Sequence, residues 1–147
     1  MPPSPRCMPS VTPGVTYLDG HAGIQWLEQT LDFRTAALFE DAGRVAYAQL
    51  VWQDGAIQVE GRHPKSRVPR TGPASVVLTA KDASDVDRYY ERALAAKAEV
   101  IIPLEDTPFG NHGFSLRDPE GNLWHVGTPF LKIDSADKPS KQNQPTA

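Results

Sequence analysis

At 147 residues and 39% apolar content, the chain can bury the core of one domain or of two small fused halves. Its net charge of −3, with Lys and Arg scattered, lacks the basic face that neutralises nucleic-acid phosphates, and no apolar run is long enough to span a bilayer. Cys7 is the only cysteine, which excludes an internal disulfide; with no apolar h-region in MPPSPRCMPSVTPG, a cytoplasmic location is expected.

Residues 1–10 are rich in proline, which resists helix and sheet, and read as a disordered leader with Cys7 as an incidental thiol. The first half, residues 11–60, then runs through strand, helix and three strands. GVTYL suits a short strand, and HAGIQWLEQTL places Ile24, Leu27 and Leu31 at helical spacing. FRTAALFE is a strand, DAGR a turn and VAYAQLVWQ a strand; Asp54-Gly55 signals a hairpin into AIQVE. Residues 61–73, GRHPKSRVPRTGP, are polar and broken by prolines, as a linker would be.

The second half, residues 74–130, repeats the order. SVVLTA is a strand, and Ser84 is positioned to cap a helix running to about Lys97, with Val86, Tyr90, Ala93 and Leu94 on one stripe. EVIIP, GFSLR and LWHVG are strands, with a loop through PFGNH and a turn at DPEGN. Residues 131–147 carry too little apolar area to offset the entropy of ordering and read as a disordered tail. Two β-α-β-β-β halves make this an α+β chain of two packed modules.

Strand alternation assigns faces. In VAYAQLVWQ, Ala46, Ala48, Leu50 and Trp52 form an apolar set expected under a helix. Tyr47, Gln49 and Val51 are left for a cavity face. In the last strand His125 shares the cavity face with Leu123 and Gly127. Three roles stay open for His125: a strand histidine satisfied by a hydrogen bond, a ligand contact, or a metal ligand. Trp26, Trp52 and Trp124 read as core. His21 and His63 read as solvated, and turn geometry accounts for Asp118. Ser115 has no base neighbour identifiable in the sequence.

The paired plan, the segments IQWLEQTLDF and DVDRYYERALAAKAEVI, and above all DTPFGNHGFSLRDPEGNLWHVGTP resemble the vicinal oxygen chelate superfamily over roughly residues 11–130. The nearest-looking branch is the glyoxalase/bleomycin-resistance-like one. The resemblance implies two βαβββ modules around a cup, commonly in a homodimer. It also implies metal-ligand positions near Thr12, Gln58, Ser75 and His125, of which only His125 is a strong donor. No metal or other cofactor is therefore expected. The expected function is metal-independent binding and sequestration of a small antibiotic-like molecule, aromatic or peptidic. The alternative is a metal-dependent glyoxalase-like lyase or dioxygenase with an atypical ligand set. Ligand contacts are expected from Tyr47, Gln49, Val51, Gln58, Ser75, Phe109, His112, Ser115 and His125. Tyr47 and Phe109 would stack on a flat ligand.

Overall fold

The computed structural model describes residues 9–62 and 72–129. Expectations for Cys7, His63, the leader to residue 8, linker residues 63–71 and the tail from residue 130 lie outside the described residues. The described chain forms two compact units. The first takes the residues up to Ala74 together with Asp118–Asn122, and the second takes Ser75–Arg117 and the residues from Leu123 onward.

In the first unit, β1 (Gly14–Tyr17), α1 (Gly20–Leu31), β2 (Arg34–Asp41), β3 (Arg44–Trp52) and β4 (Gly55–Gly61) follow in chain order. The sheet order is β1-β4-β3-β2. β1 runs parallel to β4, which requires a crossover, and α1 supplies it. Asp19 opens α1 by accepting a hydrogen bond from the Ala22 amide at 3.1 Å. The expected stripe of Ile24, Leu27 and Leu31 is buried, against the inward set Val15, Ala48, Leu50 and Val59 of the sheet.

Ala46 departs from the expected apolar set: it is exposed, and Val45 is buried instead. The cause is a bulge. β2 and β3 pair Phe39 with Tyr47 but Glu40 with Val45, so Ala46 has no partner and the alternation changes phase there.

The second unit repeats the plan with β5 (Ser75–Thr79), α2 (Ala83–Ala95), β6 (Glu99–Asp106), β7 (His112–Arg117) and β8 (Leu123–Gly127), in sheet order β5-β8-β7-β6. α2 is capped by Asp82, not Ser84. The Asp82 carboxylate accepts from the Asp85 amide at 2.9 Å, and Ser84 Oγ donates to that same carboxylate at 3.0 Å. A carboxylate outcompetes a hydroxyl for a helix N-terminus because it adds a favourable charge–dipole interaction. The buried stripe of α2 is Val86, Tyr89 and Ala93; Leu94 is exposed, and Tyr90 is half-buried with its ring 4.9 Å from that of Phe114. β6 is longer than EVIIP and carries Pro103 within it, tolerated because β6 is an edge strand. No helix among the described residues is long and apolar enough to cross a membrane.

Candidate functional site

In each unit one helix covers one sheet face. The opposite face, helix-free among the described residues, carries the side chains that alternate with the core.

In the first unit this face is built from a row of cross-strand partners: Gly14, Gln58, Gln49 and Ala37. Tyr47 lies two residues along β3 from Gln49, and the Gln49 amide donates to the Tyr47 hydroxyl at 3.0 Å. Gln58 donates to Glu60 at 2.9 Å. Tyr47, Gln49, Val51 and Gln58 are all half-buried, as a face open on one side requires. Phe39, which the sequence reading passed over as an ordinary strand residue, pairs with Tyr47. The ring centroids stand 5.9 Å apart, and Phe39 is 60% exposed. The signal for it was the register: an aromatic directly opposite Tyr47 extends the same apolar wall.

In the second unit the corresponding row is Val77, His125, Ser115 and Ile102, one residue from each strand. Ser115 Oγ lies 2.8 Å from His125 Nδ1. Burial lowers the pKa of the His125 imidazole below its ordinary value. Ser115 therefore does have a base neighbour, supplied by the hairpin rather than by adjacency in sequence. Ser75 is exposed at the start of β5, opposite Leu123.

His112 is the first residue of β7 rather than part of the preceding loop. Both its ring nitrogens are engaged, Nε2 with Asp87 at 2.7 Å and Nδ1 with Asp106 at 2.9 Å. The Asp87 hydrogen bond is the main cause that raises its pKa; Asp106 adds to it, and partial burial opposes both. Phe109 stays in the loop between β6 and β7 and is 63% exposed. His21 is exposed, with Nε2 3.3 Å from the Gly43 carbonyl. Trp52 and Trp124 are core, and Trp26 is half-buried.

The donor set at the implied metal positions is poor. Thr12 precedes β1 and donates to the Pro9 carbonyl at 3.4 Å. The residue facing His125 from β5 is Val77, not Ser75. Among the described residues, no three His, Cys, Asp or Glu side chains group as they would around a metal ion. These residues do not fit a resident metal, which needs three or four strong donors.

The fold and these faces define a protein of the two-module βαβββ class. A model of the Glyoxalase/Bleomycin resistance protein/Dioxygenase superfamily matches residues 14–126, and the chain belongs to that superfamily. Among solved structures it is similar to TioX from Micromonospora sp. ML1, at 28% identity and TM-score 0.68 over 78% of this chain and 94% of that one. Lactoylglutathione lyase from Agrobacterium tumefaciens shares the fold, at 19% identity and TM-score 0.64 over 88% and 97% of the two chains. Among curated proteins, the uncharacterised Mb0911c of Mycobacterium bovis is 33% identical over 70 residues, 48% of this chain and 46% of that protein. The chain thus spans less than half the length of that relative.

Proposed function

We propose that this chain binds and sequesters a small, flat, antibiotic-like molecule, aromatic or peptidic, without a metal. The observation that carries this reading is the helix-free face of the first unit. There an aromatic wall of Tyr47 and Phe39 stands beside the amides of Gln49 and Gln58. Stacking area with a few convergent polar groups is what a planar heteroatom-bearing ligand needs. Taken by itself, the helix-free face of the second unit offers a second candidate set for such a molecule: polar groups at Ser75, Ser115 and His125, with the Phe109 ring in the loop after β6. His112 drops out of the proposed contact set because its ring nitrogens are already bonded.

The chain acts as a homodimer in this reading. Edge strands β2 and β6 support it: Leu38 and Ile101 are exposed large apolar residues on strands whose outer edge is unpaired among the described residues. Sedimentation at micromolar concentration tests this, and a monomer refutes it.

The binding reading is tested by a thermal-shift screen of planar and peptidic antibiotics, bleomycin included, followed by calorimetry on hits. Saturable one-site binding by metal-free protein supports it. Binding that needs stoichiometric Zn, Ni, Mn or Fe overturns it in favour of a metal-dependent activity.

A further inference from the structure

We propose that Ser115 and His125 form an acyl-transfer dyad on the helix-free face of the second unit, reactive toward activated esters of aryl alcohols. β7 and β8 pair in antiparallel register with Ser115 directly opposite His125. Residues paired this way point to the same face with Cβ atoms about 5 Å apart. A short serine and a longer imidazole can bridge that gap, and Oγ lies 2.8 Å from Nδ1. Nucleophile and base at that distance are the minimal unit of nucleophilic catalysis.

The surroundings favour the reactive form. The flanking residues of the backs of both strands, Phe114, Leu116, Trp124 and Val126, are buried and hold the two Cα positions rigidly. On the reactive face both residues are half-buried, so a substrate can reach them. Burial lowers the pKa of the imidazole and so favours its neutral form, and in the tautomer protonated at Nε2 the Nδ1 lone pair accepts the hydroxyl proton. Val77 and Ile102 close the same row on either side; they are 69% and 41% exposed and offer apolar surface for an aryl or acyl group.

In the step itself, Oγ bonds to the ester carbonyl carbon as its proton passes to Nδ1. The carbonyl π pair moves to oxygen. Collapse breaks the bond to the leaving oxygen, which takes the proton from the imidazolium, and the acyl group stays on Ser115. Water then attacks the acyl-serine, again losing its proton to Nδ1, and releases the acid with Ser115 restored. Among the described residues no Asp or Glu is hydrogen-bonded to His125. Loss of the acid member of a complete triad lowers turnover roughly 10⁴-fold. The dyad is accordingly slow and needs a good leaving group.

The test incubates the full chain with 4-nitrophenyl acetate, following nitrophenol release and mapping the acetyl group by peptide mass spectrometry. Acetylation at Ser115, and release that falls at least about tenfold in both Ser115→Ala and His125→Gln, support the dyad. Ser115→Cys keeps a nucleophile at the same position and retains His125-dependent acyl transfer, which keeps the test decisive if Ser115→Ala does not fold. Acetyl groups confined to lysines, or release unchanged in Ser115→Ala, overturn it. The binding reading is judged separately by calorimetry. Protein that binds a ligand but is never acetylated at Ser115 sinks the dyad alone, and protein acetylated there that binds no screened compound sinks the binding reading alone.

Discussion

The Tyr17 hydroxyl donates to Asp118 Oδ2 at 2.6 Å, joining residues 101 positions apart within the first unit. Both residues are buried. Burial first, then the Asp118 charge, pushes the Tyr17 ionisation far upward, so the hydroxyl remains a donor throughout the accessible pH range. The other carboxylate oxygen accepts the amides of Glu120 and Asn122, each at 3.0 Å, which folds the DPEGN turn upon itself. Tyr17→Phe removes a donor from a buried carboxylate and is expected to destabilise the protein by about 1.5–3 kcal/mol. Urea unfolding checks this; a loss below about 0.5 kcal/mol would mean the bond contributes little.

Gly23 in α1 should reverse the usual helix rule. Glycine to alanine in a helix gains about 1 kcal/mol on propensity. Here a Cβ at 23 would sit 2.6 Å from Tyr17 ring atoms, and that ring is fully buried. Overpacking of a rigid core costs about 1–3 kcal/mol. Gly23→Ala is therefore expected to lower the melting temperature, and a raised one would contradict the packing.

The bonds of His112 to Asp87 and Asp106 tie the start of β7 to α2 and the end of β6. An imidazolium donates from both nitrogens and a neutral ring from only one, so the charged form is favoured and the folded pKa is raised. The resulting stability is fully present below the unfolded value of about 6.5 and is lost as pH rises through the higher folded value. The melting-temperature advantage of the wild type over His112→Gln should be larger at about pH 5.5 than at about pH 8.5. The opposite order would show that the ring is held neutral.

For the proposed ligand, Tyr47→Ala or Phe39→Ala should each weaken binding by roughly 5- to 150-fold, corresponding to about 1–3 kcal/mol of lost stacking and burial. Both rings lie on the helix-free face, so circular dichroism should stay near wild type. Unchanged affinity in both variants would place the ligand elsewhere.

The fold was legible because both halves announce themselves locally. Alternation in VAYAQLVWQ separates Tyr47, Gln49 and Val51 from the core, and Ile24, Leu27 and Leu31 recur at helical spacing. Ala46 was misread because a bulge belongs to the pairing of two strands, and nothing in β3 alone marks it. The Ser115–His125 pair was within reach. Counting outward from the DPEGN turn sets Arg117 against Leu123 and Ser115 against His125. Tyr17 and Asp118 were not, since their meeting depends on packing between segments with no shared local pattern.

The Tyr17–Asp118 bond also has a temporal side. Ribosomes add about 5–20 residues per second, so roughly 5–20 s separate the synthesis of these two partners. All four strands and the helix of the first sheet have been made by Gly61. The turn that satisfies the Tyr17 hydroxyl, and whose Glu120 carboxylate accepts the Leu18 and Asp19 amides at 2.7 and 3.0 Å, has not. A nascent chain stalled before Asp118 would hold these donors against water alone. The first unit is thus completed out of the order in which its chain is made, by a segment that leaves the ribosome after β5, α2, β6 and β7.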